Sequence, residues 1–443
     1  MDFDQALRYM SRLRRFGVKL GNERMTELLE RIGDPHRRYR VAHVTGTKGK
    51  GSTTALLAAI LTAHGHRTGA YFSPYVYDVR ERVQVDGVLI PPESLAHIVT
   101  YLEPVVNSVA LTTMGQMTEF ELKTAIGFMH FANEAVRYAA IEVGMGGRND
   151  ATNVVDPTVA VITNVGLDHT EVLGHTHEEI AMEKAGIIKD GRPLVTAVDH
   201  PGALDVVLRE AERHAAPVVR VGEEPIRGGT PCAFWTGPLD GFRIITPRTE
   251  YRDLGMRLIG RHQRLNAVCA VAAAEVLAAT DGWTMDETIV RQALMSVTLP
   301  GRFAVLHESP KVIADGAHNA MSARALAAEV RGCTFDRLIL VVGMLRGHDA
   351  RAFLAELGPL ANVIFATEPQ WKRAEGVAVI ADEARAFCKD VRVITPVLDA
   401  VRHAVEIASP ADMVLITGSF YTVGEAPPEA LFGTPTNAPP ASP

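Results

Sequence analysis

The sequence predicts an α/β protein in which a P-loop-type, mostly parallel sheet domain is followed by a smaller Rossmann-like α/β domain. Three observations carry that prediction. Arg40–Val44 reads as a short strand that runs into the glycine-rich TGTKGKGST, and the helical STTALLAAILTA follows. Strand-length apolar runs then alternate with helical patterns, as in a parallel sheet covered on both faces. A proline–glycine break, LPGR at Leu299–Arg302, precedes a second round of the same alternation.

Taken in order, an amphipathic helical opening extends to about Ile32. AAIEV at Ala139–Val143, TVAVIT at Thr158–Thr163 and LVTA at Leu194–Ala197 read as buried parallel strands, with helices at Glu121–Val136 and Glu178–Ile188 between them. Pro217–Arg257 is rich in Gly, Pro and Thr with short alternating segments. It predicts a small antiparallel excursion, after which helix returns at Gln263–Ala279. Beyond the break, strands are expected at Lys311–Ala314, Arg337–Val342, Asn362–Ala366, Val391–Ile394 and Met413–Thr417. The expected domains are therefore 1–298 and 299–425, with LPGR as a hinge. The proline-rich 426–443 is expected to be a disordered tail.

The chain's 443 residues suit two domains. With 47% hydrophobic and 22% charged residues, the composition is that of a globular protein. A formal net charge of −7 argues against a broad basic face for nucleic acid. No apolar run reaches the roughly eighteen residues of a membrane helix, and the opening lacks the apolar stretch of a signal peptide. Cys232, Cys269, Cys333 and Cys388 are scattered with no CxxC pair, the pattern of free thiols in a reducing cytoplasm. A cytoplasmic monomer with small-molecule partners is expected, with no nucleic-acid or membrane partner.

Gly46-Thr47-Lys48-Gly49-Lys50-Gly51-Ser52 lies between a strand and a helix. Glycines there let backbone N–H groups turn inward around phosphate oxygens, and the helix N-terminus adds partial positive charge. Lys50 is placed to reach the β/γ-phosphates and Ser52 to face a magnesium ion. The loop departs from GxxxxGK(S/T), because Gly51 separates the lysine from the hydroxyl. Glu142 ends a predicted strand, and Asp168-His169 follows the next, so both lie where open α/β sheets gather ligands. A carboxylate beside bound phosphates calls for a cation, and Mg²⁺ favours such oxygens. Taken singly, Glu142 reads equally as a solvated strand-end acid and His169 as a helix cap or a packed core histidine. Gly144-Met145-Gly146-Gly147 lacks GxGxxG spacing, and Asn164 and Asp168 are spaced NxxxD rather than NKxD, so dinucleotide and GTPase readings fail.

These segments together resemble the folylpolyglutamate synthase/dihydrofolate synthase family of the Mur ligase superfamily. The loop is similar to that family's GTNGKG(S/T), with Lys48 in place of asparagine. Glu142–Asn153 matches EVGLGGRxDATN, Ile162–Gly174 matches ITNIGLDHTExLG, and Glu183–Ile187 matches EKAGI. YFSPYV matches the SPHL segment except that Tyr75 replaces its histidine. His262-Gln263-xx-Asn266 matches HQxxN, Pro300–Arg302 matches PGR, Asp315–Asn319 matches DGAHN, and TGSFYTVGE matches GSxYxxGE. The opening FGVKLGNERM also resembles the family's, and the resemblance runs from about Tyr9 to Glu425.

The resemblance implies that Glu142, His169, Ser73 and Ser52 hold Mg²⁺ at two sites and that Lys184 is carbamylated by CO₂. From the residues alone, Lys184 would be a salt-bridged lysine near a helix C-terminus. The resemblance further implies that Gly49, Lys50, Gly51, Ser52, Asn266, Arg302 and Asp315 bind ATP. Thr118, Glu119, Phe120 and Glu121, with Asn149, Asp150 and Ala151, would contact the pterin acid. By pattern alone, Thr118 reads as a helix N-cap followed by first-turn acids, a role compatible with substrate contact. His318, Ser419 and Arg82 would face the incoming glutamate. Lys50, Lys184 and His318 are the implied catalytic residues. One departure stands out: Gly347-His348-Asp349 replaces the family's DKD, whose lysine is tied to the amino-acid substrate, so His348 would be a weaker cation.

The implied reaction is ATP-dependent ligation of L-glutamate to a folate-type acid through an acyl phosphate, giving ADP and phosphate. Charge on the moving phosphoryl group would be met by Mg²⁺, Lys50 and Arg302, and two domains would shield the intermediate from water. Polyglutamate extension, first glutamate addition to dihydropteroate, or both fit the motifs. The alternatives are a Mur-type ligase for another acid or amino acid, and a non-catalytic nucleotide-binding regulator. The regulator leaves DGAHN, HQxxN and EKAGI without a purpose.

Overall fold

β1 (Arg40–Thr45) is buried from its second residue onward and takes parallel partners on both edges. In this computed structural model, which describes residues 1–13, 21–226 and 230–433, β1 is the middle of an extended sheet. The other strands of that sheet are β2 (Thr68–Tyr71), β3 (Val83–Val85), β4 (Val88–Leu89), β5 (Tyr138–Glu142), β6 (Val159–Ile162), β7 (Leu194–Thr196), β8 (Val218–Gly222), β9 (Cys232–Thr236), β10 (Phe242–Ile245) and β11 (Glu250–Leu254). Among the described residues their order is β11-β10-β9-β8-β7-β6-β1-β5-β2-β3-β4. Pairing is parallel from β2 through β9 and antiparallel at both margins. Val44 stands opposite Glu142 and Thr45 opposite Ile162. The carboxyl ends of β5, β1 and β6 are therefore level, and the segments leaving these three strands gather at one place.

Core residues cover this sheet with helices. Phe128 and Phe131 of the helix Glu119–Asn133 join Tyr71, Val41 and Ile141 in one buried cluster. Ile180 and Ala185 of the helix His177–Ala185 join Ile162 and Leu194 in another. Among the elements that escaped the sequence reading are the helix Pro92–Ala110, which carries Pro104 within it, and the short strands β2 to β4.

Pro217–Arg257 is not a separate antiparallel excursion. β8 and β9 extend the parallel sheet, and only β10 and β11 run antiparallel. Short alternating runs show that strands exist, but strand direction is set by edge partners far away in sequence.

The described residues divide into two compact units, Met1–Tyr75 with Val79–Val297, and Val76–Asp78 with the chain from Thr298 onward. The second unit holds β12 (Ala304–Glu308), β13 (Lys311–Ala314), β14 (Leu338–Val342), β15 (Val363–Ala366), β16 (Val391–Val393) and β17 (Met413–Thr417). Its order is β12-β13-β17-β14-β15-β16, parallel except for β12. The segments after β13, β17 and β14 carry Asp315–His318, Ser419 and Gly347–Asp349.

The expected tail needs correction at its start. Pro428–Phe432 is a helix with proline in its first turn, and Phe432 stacks on His307 with ring centroids 4.6 Å apart. Leu431 and Phe432 are the apolar pair that the proline-rich composition hid. The rest of the expected tail, 434–443, and residues 14–20, which include all of FGVKL, lie outside the described residues.

Asp412 ties this unit's strands together. Its carboxylate accepts from Arg337 Nη2 at 2.6 Å, from the Arg337 amide at 3.1 Å and from the Ser409 amide at 2.7 Å. The Arg337 guanidinium beside it holds the carboxyl down at about 2. A depressed carboxylate pKa stabilises the fold above the unfolded value of about 4, and the contribution is lost as pH falls towards the folded value. Asp412→Ala is expected to lower the melting temperature by about 5 °C at pH 7. The gap between variant and wild type should shrink as pH drops from about 4 towards 2, which thermal denaturation across pH will check.

Candidate active site

The glycine loop closes onto the segment after β6. Gly49 has φ 82° and caps the helix Lys50–Ala63, a conformation open to glycine and strained for other residues. A Cβ at Gly49 would meet Asn266 Oδ1 at 2.3 Å, so Asn266 lies directly against the loop. Asn164 Oδ1 accepts from the amides of Thr47 at 3.1 Å and Lys48 at 2.8 Å. Thr47 Oγ1 accepts from the Gly166 amide at 2.9 Å, and Lys48 Nζ pairs with Asp168 at 3.0 Å. Lys50 Nζ donates to the Gly46 carbonyl at 3.0 Å, and Ser52 is buried in the first helical turn. Asn164 had no assigned role in the sequence reading. Its spacing of four from Asp168 was visible there, but its partners lie more than a hundred residues away.

Glu142 ends β5 beside this loop. Its Oε2 accepts from the Ser73 amide at 2.8 Å and lies 3.4 Å from where a Cβ on Gly51 would be. Gly51 thus faces the carboxylate across the first turn of the helix. Ser73 Oγ is buried and has no hydrogen-bond partner. His169 begins the short helix Thr170–Leu173 from a left-handed backbone, φ 50°. Its pKa is lowered, first by loss of water around the ring, and further by Lys50, Lys48 and Lys184 working against Asp168.

Lys184 sits in the last turn of the helix His177–Ala185, which Thr176 and Glu179 cap reciprocally. A Cβ on Gly147 would stand 2.8 Å from the Glu183 carbonyl and 2.9 Å from that of Lys184. One on Gly186 would meet Arg148 Cα at 2.6 Å. Two glycines therefore let the GMGG and EKAGI segments press backbone to backbone, and that contact holds Lys184 in place. The lysine is 2% exposed. Burial first, then the neighbouring Lys50, push its pKa down to about 7, with Asp168 opposing. A lysine in that state is about half neutral, nucleophilic amine near pH 7.

The segments expected to meet the acid lie beyond Ser73. Phe120 Cζ would be 2.5 Å from a Cβ on Gly144, so its ring packs onto the turn after β5. Arg82 lies 5.6 Å from the Phe120 ring centroid and 5.7 Å from that of Tyr75, the residue standing where the family has histidine. Glu119 pairs with Lys123, which also approaches the Tyr75 ring. Thr118 and Glu121 form a capping box, and Glu121 makes a buried ion pair with Arg24 at 2.9 Å. Asp150 turns inward to the Met145 amide at 2.9 Å and Thr152 Oγ1 at 2.6 Å, and burial raises its pKa. Its neighbour Ala151 is buried, while Asn149 is exposed.

In the second unit, Arg302 lies over the Phe420 ring at 4.5 Å. Asp315 accepts from the amides of Phe303 and Ala317, each at 2.9 Å. Burial raises its pKa, and Arg302 opposes. His318 Nδ1 contacts the Gly316 carbonyl at 2.9 Å, and its ring is 5.1 Å from that of His348. Ser419 caps the helix Phe420–Gly424 through Thr422. Asp349 caps the helix Ala350–Leu357.

The sequence and the fold match known proteins across both units. Residues 44–274 fit the Mur ligase middle domain, and 301–420 fit the Mur ligase glutamate ligase domain. A dihydrofolate synthase/folylpolyglutamate synthase of Bacillus subtilis is 36% identical over 424 residues, 93% of this chain and 95% of that protein. The chain belongs to the folylpolyglutamate synthase/dihydrofolate synthase family. The crystal structure of Thermotoga maritima folylpolyglutamate synthase superposes on this synthase-family chain with a TM-score of 0.85 at 30% identity, covering 98% of this chain and 97% of that one. E. coli FolC, solved in complex with DHPP and ADP, gives a TM-score of 0.82 at 29% identity, covering 96% of each chain. Among the described residues of this family member, no helix is long and apolar enough to cross a membrane.

Proposed function

We propose that this chain is an ATP-dependent ligase that adds L-glutamate to a folate-type acid, dihydropteroate or a reduced folate. The observation that carries the reading is the convergence of the phosphate loop, the Glu142–Ser73 pair and buried Lys184 at the level ends of β1, β5 and β6. The relatives act on folates by name, and the E. coli structure carries ADP.

A carboxylate does not condense with an amine at neutral pH, because oxide is a poor leaving group. In the proposed reaction a carboxylate oxygen of the acid attacks the γ-phosphorus, ADP leaves, and an acyl phosphate forms. The glutamate nitrogen then attacks the carbonyl carbon, the amine loses a proton, and phosphate departs. Loop amides and Lys50 stabilise the β- and γ-oxygens, Asn266 takes the adenine, Arg302 the phosphate and Asp315 the ribose. The acid lies along Phe120 and its neighbours, within reach of Arg82. His318 and Ser419 serve the glutamate. A carbonyl only accepts, so His318 Nδ1 carries its proton and Nε2 is the basic nitrogen suited to receive the amine's proton.

Magnesium fits the residues present. Among the described residues no three His, Cys, Asp or Glu side chains are grouped to hold a metal by themselves. Mg²⁺, however, favours few protein ligands plus phosphate oxygens and water. Ser52, Ser73, Glu142 and His169 are such a set, and the unpartnered buried Ser73 Oγ supports it. Magnesium there would neutralise charge on the transferring phosphoryl oxygens. A carbamate on Lys184 belongs to the same reading, since it replaces a cation beside Lys50 with an anion. A cytoplasmic location and a monomeric state complete it, and the free thiols support the first.

His348 stands where the family's lysine would hold the amino acid. His348→Lys is expected to lower KM for glutamate several-fold with little change in kcat, as initial-rate kinetics will show. The function itself is tested by ATP-dependent incorporation of labelled glutamate into dihydropteroate and tetrahydrofolate side by side. Incorporation into neither acid would overturn the proposal.

A further inference from the structure

The opposite end of the first unit's sheet carries an unexpected concentration of positive charge. Two adjoining cavities of about 400 and 550 Å³ share Arg37, Tyr39 and Arg40 in their walls. Arg40 opens β1, Arg137 directly precedes β5, and Lys189 and Arg192 lie just before β7. The residues entering neighbouring parallel strands thus supply the walls, at the end of β1 away from the phosphate loop. Six residues at some 3.3 Å each put roughly 20 Å between the two ends.

With Arg38, six cations line the trough against two lining carboxylates, Asp281 and Asp156. The chain as a whole carries −7, so this excess is local. The acids do not cancel it. Asp281 is shared between Arg40 at 3.3 Å and Arg137 at 3.6 Å and also accepts from Tyr138 Oη at 2.8 Å. Arg192 pairs with Asp156. Arg37 reaches Asp34 at 3.7 Å and is 69% exposed. Crowding like charges costs energy that a bound anion would relieve.

The wall supplies an independent observation. His36 and Asn153 are 5% and 8% exposed, and both line the larger cavity. His36 Nδ1 is buried there without a hydrogen-bond partner and, carrying its proton, can donate to an anion, whereas the Asn153 amide nitrogen is already spent on the Arg148 and Gly186 carbonyls at 3.0 Å each. Buried polar groups in folded proteins are normally satisfied by protein, water or ligand. The cavities have small-molecule size, and five of the six cations are arginines, whose planar forks match phosphate and carboxylate oxygens.

We propose that this trough is a second ligand site, separate from the phosphate loop, for a small oligoanion: a short run of phosphates or carboxylates whose charged groups occupy the two joined cavities. The site would let an anion other than the bound nucleotide act on the unit that carries the reaction's phosphate loop.

Isothermal titration of the full chain tests this, with ADP and excess magnesium saturating the phosphate loop. Inorganic tripolyphosphate and tetra-γ-glutamate are titrated separately. Binding of one equivalent of either, weakening as sodium chloride is raised, is expected. Tripolyphosphate alone would identify a phosphate ligand, and the peptide alone a carboxylate ligand. The Arg37→Ser/Arg192→Ser variant should bind about tenfold more weakly or worse, with melting temperature and ligation rate unchanged. Should that variant not fold, Arg37→Ser alone, altering an exposed side chain, reads the same effect. Absence of binding by both probes at millimolar concentration, or equal binding by variant and wild type, would overturn the proposal.

Discussion

Lys184→Ala is expected to lose ligation by on the order of 10²- to 10³-fold in kcat, with the fold intact. The physical reason lies in the surroundings of the amine. Lys184 is 2% exposed and feels Lys50 and Lys48 as well as Asp168. Left as an ammonium it would add a third positive charge to the group and repel a metal. Its pKa of about 7 leaves much of it neutral near pH 7, and a neutral amine attacks CO₂, forming an N–C bond and releasing a proton. Acid protonates the amine and disfavours carbamate, while alkali favours it. Enzyme stripped of CO₂ should therefore regain a larger share of its activity at equilibrium with bicarbonate at pH 8 than at pH 6. ¹³C-bicarbonate should give a carbamate resonance in the wild type and none in Lys184→Arg. Short carboxylic acids should partly restore Lys184→Ala by placing an anion in the vacated space. Wild-type rates in Lys184→Ala, or no carbamate resonance from active enzyme, would return Lys184 to a structural lysine.

Lys50→Ala and Glu142→Ala should each cost a similar 10²- to 10³-fold or more in turnover, for different reasons. Lys50 opens the helix after the loop and carries an ammonium directed back over the loop carbonyls. Its loss should weaken ATP binding and slow phosphoryl transfer together. Glu142 is the carboxylate that takes the Ser73 amide and faces Gly51. Its loss should raise the magnesium concentration needed for half-maximal rate, a shift that Lys50→Ala should not share to the same extent. Initial rates over a magnesium series, with melting curves as the folding control, separate the two.

Much of this site was legible because its parts are local. A strand, a glycine loop and an apolar helix are contiguous, so β1 and the helix Lys50–Ala63 were readable from periodicity and turn chemistry alone. Glu142 ends one strand and Asp168-His169 comes after another, and parallel pairing of those strands with β1 brings them level. Interactions across long sequence separations were not legible. Asn164 tethering the loop, Lys48 pairing with Asp168, and Glu121 committing its carboxylate to Arg24 all join residues about a hundred positions apart. The close approach of Gly147 and Gly186 to each other's segments was hidden for the same reason. So was the parallel course of β8 and β9, because an alternating pattern records which face is buried and not which neighbour runs beside it. The helix Pro428–Phe432 was masked by averaging, since two apolar residues among prolines change composition little yet suffice to dock one turn.

The central claim is that the acid's carboxylate is activated by the γ-phosphoryl group held at the glycine loop. Ligation with the acid's carboxylate labelled with ¹⁸O tests it most directly, by mass analysis of the phosphate released. The account predicts one ¹⁸O atom per phosphate, and phosphate release only when ATP, acid and glutamate are all present. Unlabelled phosphate from productive turnover, or steady release without the acid, would contradict it.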